Sequence, residues 1–125
     1  MKVNFFTCDY AFHYLCDSEN TIRDLKHFIL LFAREGGHFK ILDYDGVAVY
    51  NLLKDQPDRT WDNGRYHWAL CDKGELLPFG QKVRVLLPTI HNEMTEEYLF
   101  NIDAVCRVFE PEIHLLKKEK MMDVV

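Results

Sequence analysis

Two segments with helical periodicity lie toward opposite ends of this chain, and only short alternating stretches and turn residues separate them. That order narrows the fold more than any other feature. In the first segment, Asp17-Ser18-Glu19-Asn20-Thr21 supplies N-cap candidates and Thr21-x-x-Asp24 approximates a capping box, so a helix is predicted from about Ile22 to Glu35, closed by Gly36-Gly37. Ile22, Leu25, Phe28, Ile29, Phe32 and Ala33 fall on one arc at a spacing of about 3.6 residues and form its expected core face. Leu30 and Leu31 fall outside that arc, so the helix is either covered on two sides by a second layer of the domain or carries a contact surface there. The second segment starts at a cap on Asn92 or Thr95 and runs to about Phe109, with Tyr98, Leu99, Ile102, Val105, Cys106 and Phe109 on its apolar arc.

Between and before these helices the pattern is that of strands. Met1 to Thr7 alternates imperfectly and is rich in β-favouring residues. The aromatic stretch from Asp9 to Cys16, with His13 inside it, suits either a strand continuation or a helical turn. His38–Asp43 and Val47–Leu53 flank Asp45-Gly46 as a hairpin would, although the second run also suits a helix. Arg65 to Cys71 places Tyr66, Trp68 and Leu70 on one face, and Val83, Val85 and Leu87 mark a further strand closed by Pro88. Runs of strands between two helices predict an α+β fold: one globular domain over 1–125, a mainly antiparallel sheet of short strands with two long helices packed on it, and a frayed end at 118–125.

With 125 residues, 48% of them hydrophobic, the chain is large enough for one buried core. The longest uninterrupted apolar run is Phe28 to Ala33, too short to span a bilayer, and Asp9 interrupts any secretory leader. Cys8, Cys16, Cys71 and Cys106 show neither metal-binding spacing nor the density of a disulfide scaffold, which points to reduced thiols and a cytoplasmic setting.

All of the net charge of -5 lies between Glu93 and Glu112, where Glu93, Glu96, Glu97, Asp103, Glu110 and Glu112 face Arg107 alone. On a continuous helix Glu96, Asp103 and Glu110, seven residues apart, make an acidic stripe. Together with Glu93 and Glu97 it would steer a protein partner that carries a basic surface. A pI near 5.6 and scattered bases argue against nucleic acid. Nothing in the pattern specifies an oligomeric state.

Three motifs bear on chemistry. Phe39-Lys40-Ile41-Leu42-Asp43-Tyr44-Asp45-Gly46-Val47 resembles the first motif of the haloacid dehalogenase superfamily, an apolar strand ending in Asp-x-Asp-Gly-Thr. The resemblance implies a Mg²⁺-dependent phosphohydrolase or phosphotransferase with Asp43 as nucleophile and Asp45 as general acid/base. Val47 stands where that family has Thr, and no later acid pair follows an apolar strand. Secondly, Arg65, His67, Lys82 and Arg84 share the outer side of the predicted strand pair, a basic cluster on which Arg65, His67 and Arg84 could hold an anionic nucleotide. Thirdly, the six histidines show no metal-ligand spacing, so no metal or cofactor is expected. The sequence therefore points first to a noncatalytic protein-binding module, a small acidic inhibitor or adaptor of the immunity, antitoxin or virus-encoded type. Partner contacts would come from the acidic residues with Leu30 and Leu31. The phosphohydrolase and nucleotide-binding readings stand as alternatives.

Overall fold

Strand β1 (Val3–Asp9) is joined to a parallel neighbour, β2 (Ala33–Leu42), through a 3-10 turn (Phe12–Leu15) and helix α1 (Glu19–Phe32). The computed structural model describes residues 2–72, 74–86 and 93–119. A parallel pair needs a crossover connection, and α1 provides it. Ser18 caps the helix, its Oγ accepting from the Thr21 amide at 3.3 Å, so α1 begins three residues before the expected start. It also ends early. Ala33 turns to extended backbone (φ -78°, ψ 139°), and Arg34 and Glu35 join β2 instead of the helix. The two glycines sit within the strand: the register steps from Val3 opposite Ala33 to Phe5 opposite His38, so the surplus residues of β2 bulge out there. A Cβ on Gly37 would lie 2.9 Å from the Arg34 carbonyl oxygen and 3.0 Å from that of Asn4.

The hairpin expected at Asp45-Gly46 does not form. Asp45 is an N-cap, with Oδ1 accepting from the amides of Val47 and Ala48 at 3.1 Å, and α2 (Gly46–Leu53) takes the place of a strand. The Gly46 amide donates to the Phe100 carbonyl at 2.9 Å, so close that a Cβ there would lie 2.3 Å from the same oxygen. Only glycine fits this contact.

β3 (Thr60–Asp62), β4 (His67–Leu70), β5 (Lys82–Leu86) and β6 (Thr95–Tyr98) form an antiparallel sheet in that order. The turn at Asp62-Asn63-Gly64 follows the sequence expectation, with Asn63 Oδ1 accepting from the amides of Arg65 and Tyr66. Val83 and Val85 are buried opposite Leu70 and Trp68. Leu87, Pro88 and the Asn92 cap lie outside the described residues, as does the chain from 120 onward.

The second long helix divides. Thr95–Tyr98 pairs with β5, and the helix proper, α3 (Ile102–Phe109), starts at an Asn101 cap whose Oδ1 accepts from the Ala104 amide at 3.2 Å. The architecture is α+β as the sequence implies, with a two-stranded parallel and a four-stranded antiparallel sheet, but only α1 is long. No described helix is long and apolar enough to cross a membrane.

Two apolar clusters result. One joins α1, α3 and the 3-10 turn around Phe12, Ile22, Ile29, Val105 and Phe109, with β1 and β2 contributing Phe6, Phe39 and Ile41. The other packs Leu53 of α2 on the inner face of the four-stranded sheet. Leu99 belongs to the second and its neighbour Phe100 to the first, so this short segment couples them.

Candidate functional site

Parallel pairing brings the C-terminal ends of β1 and β2 side by side: Asp9 lies opposite Leu42, and the Tyr10 amide donates to the Leu42 carbonyl. The next residues on each strand therefore meet. His13, in the 3-10 turn after β1, reaches Asp43, just beyond β2. Its backbone amide donates to Oδ2 at 2.8 Å, and its Nδ1 lies 2.9 Å from both carboxylate oxygens. The Tyr44 amide adds a third donor at 2.7 Å. These bonds compensate a carboxylate whose side chain has no solvent exposure.

On the other side of the imidazole stands Glu97. In β6 it lies opposite Val83, so it shares the inner face of the sheet, and it is buried. Its Oε2 is 3.6 Å from His13 Nε2, and its Oε1 accepts from the Tyr14 hydroxyl at 2.9 Å. Nε2 itself is buried and has no hydrogen-bond partner among the described residues. Burial works against charge on the ring, but the bond to Asp43 and the charges of Asp43 and Glu97 outweigh it, so His13 holds its proton above the ordinary imidazole range. The bond to Glu97 likewise raises the Tyr14 phenol. His13, Tyr44, Trp68 and Glu97 line a cleft with room for about one water-sized body.

The two acids of the dehalogenase-like motif are thus committed to different tasks. Asp43 is enclosed and bonded to His13, while Asp45 caps α2. Among the described residues no three His, Cys, Asp or Glu side chains converge as a metal site. Cys16 is buried and its thiol is pushed up to about 12 by that burial and by Asp43, which makes it a poor nucleophile.

The basic cluster is broken up by acids. His67 Nδ1 is 2.9 Å from Asp62 Oδ2, Lys82 Nζ is 3.9 Å from Glu96 Oε2, and Arg84 lies opposite Glu96 across the ladder. Arg65 is in the turn, over the Tyr66 ring. The acidic residues do not form one stripe either. Glu97 is internal and Glu96 is on the outer sheet face, whereas Asp103 and Glu110 are exposed on and just after α3, and Glu93 is exposed ahead of β6.

Leu30 and Leu31 are 40% and 67% exposed. The structure adds Phe28 and Phe32, assigned by the sequence to the core but 53% and 42% exposed, with their rings 4.9 Å apart. Phe28, Leu31 and Phe32 share one helix face at i, i+3 and i+4. Sequence reasoning missed His13 as a site residue, because its partners lie 30 and 84 positions away. The one available signal was Glu97 itself, which alternation places inward as soon as 95–98 is read as a strand. No protein-family model matches the chain, and no curated protein is significantly similar to it.

Proposed function

We propose that this protein is a noncatalytic binding module that engages a protein partner through the apolar end of α1, acting as an inhibitor or adaptor in the cytoplasm. One observation carries the reading: Phe28, Leu31 and Phe32 present adjoining apolar surface to solvent from a helix whose other side is in the core. Contiguous exposed apolar surface of this kind marks interaction sites, and buried aromatic anchors dominate binding energy at interfaces. The partner's expected basic character follows from the neighbourhood. Helix α3 packs beside α1, and Asp103 and Glu110 are exposed on and just after it, acids of the kind that would steer a basic surface. Four free thiols support a reducing compartment.

The test is capture from the native source with immobilised wild type, the Phe28→Ser/Leu31→Ser double variant and Glu96→Gln as a surface control. A protein held by wild type and by Glu96→Gln but lost from the double variant is the expected result. Identical capture by all three would remove α1 from the function.

A further inference from the structure

His13 touches both parts of the fold. Its own turn and Asp43 belong to the β1–α1–β2 unit, whereas Glu97 belongs to the edge strand of the four-stranded sheet. Two buried carboxylates face one imidazole from opposite sides, and the adjacent cleft has room for little besides water, so the unbonded Nε2 is turned to Glu97 rather than to a ligand space. We infer that His13 is a proton-operated latch. Carrying a proton on each ring nitrogen, it ties β6 to the end of β2, and on losing the Nε2 proton it releases β6 from that contact.

The groups around the ring define the response. From the segment after β2 come Asp43 and Tyr44, from β6 Glu97 and from the 3-10 turn Tyr14, with the thiols of Cys16 and Cys8 close enough to feel the charge of Asp43. Asp43 and Glu97 are acids, and among the described residues no Lys or Arg is paired with either, so the imidazolium is their counter-charge. Once the ring is neutral, Asp43 keeps its bonds from the His13 and Tyr44 amides and Glu97 keeps the Tyr14 hydroxyl, but the two enclosed negative charges lose the positive charge between them, which favours opening to water. Nδ1–H remains on Asp43, so the break falls at Glu97.

The direction follows from linkage. A histidine unfolds to an ordinary value of about 6.5. In the fold His13 keeps its proton above that, so its contribution is complete below about pH 6.5 and is lost as pH rises through the folded-state midpoint. Opening is therefore alkaline, opposite in sense to an endosomal histidine switch.

NMR titration of the His13 ring in the full chain, with amide exchange of β6 followed from pH 6 to 9, tests this. Wild type is expected to show an imidazole midpoint above the ordinary range, with β6 opening at least tenfold more often beyond that midpoint, after correction for the intrinsic pH dependence of exchange. Glu97→Gln should move the midpoint down and abolish the tenfold change. If Glu97→Gln does not fold, the wild-type titration decides alone. A His13 midpoint at or below the ordinary range, or a ring that titrates while β6 exchange stays constant, overturns the latch. The same exchange profile in wild type and folded Glu97→Gln also overturns it.

Discussion

On the four-stranded sheet, the acids of the outer face sit beside polar partners: Asp62 beside the His67 ring, and Glu96 beside Lys82 and Arg84. On the β1–α1–β2 unit the outward positions of the helix end include Phe28, Leu30, Leu31 and Phe32, apolar side chains left open to solvent. The sheet's outer surface is built for water and the helix end is not. Strand alternation separates the inward apolar set, Trp68, Leu70, Val83 and Val85, from a polar face almost automatically. A helix packed chiefly on α3 and one strand pair can bury only a narrow arc, and α1 carries more apolar residues than that arc accommodates. The excess is what the proposed partner would cover.

The most damaging change should be Phe12→Ala. The side chain has no solvent exposure and its ring contacts Phe39 and Phe100, so about 3–5 kcal/mol should be lost in urea unfolding. Trp68, on the sheet, should report the same midpoint as far-UV circular dichroism. Two separate midpoints would show that the halves fold independently and would break the comparison.

Gly46→Ala comes next, at about 2 kcal/mol, because a Cβ 2.3 Å from the Phe100 oxygen must push α2 away from the segment that joins the two clusters. Wild-type stability in this variant would mean the contact is not needed. Asp45→Ala should cost about 1 kcal/mol through its lost cap, and it separates the capping role from the dehalogenase-like reading, which needs that acid for turnover of a phosphate ester. Phosphatase activity in wild type, abolished in the variant, would reverse that assignment.

The smallest effects sharpen the contrast most. Leu31→Ser and Glu96→Gln should each alter stability by under about 0.5 kcal/mol, yet only the first should weaken capture of the partner. Equal effects on capture would make the two surfaces equivalent.

Local pattern made the sheet half of this fold readable and left the rest only partly so. β4, β5 and the Asn63 turn follow from alternation and turn chemistry, which act over a few residues. Helix α1 was legible for the same reason, but its end was not. Pairing with β1 claims Ala33 onward, and Gly36-Gly37 serve a bulge instead of a cap. The segment from 95 to 109 carries helical periodicity throughout, and its first four residues become a strand because β5 offers them a ladder. The His13 cluster was illegible because its geometry depends on that ladder and on parallel pairing, neither of which leaves a mark near His13. Of the expected contact residues, Leu30 and Leu31 are exposed, which their spacing alone did not decide, while Glu97 is inside.

The apolar cluster beneath β1 and β2 is completed by Phe100, Val105, Val108 and Phe109, all from the far end of the described chain. During synthesis, then, the first sixty residues emerge with Phe12, Ile22 and Ile29 unable to find their final cover. The β1–α1–β2 unit must wait for α3, and the sheet between them, whose strands pair with sequence neighbours, has the shorter path to its native contacts. Protease digestion of stalled nascent chains of increasing length should show the region around Phe12 becoming protected only once Phe109 has cleared the ribosome. Protection at the length that ends with Leu53 would contradict this order. For a chain with an apolar helix end, that interval is also its most exposed moment, when the apolar surface of that end and the surface meant for the core are open together.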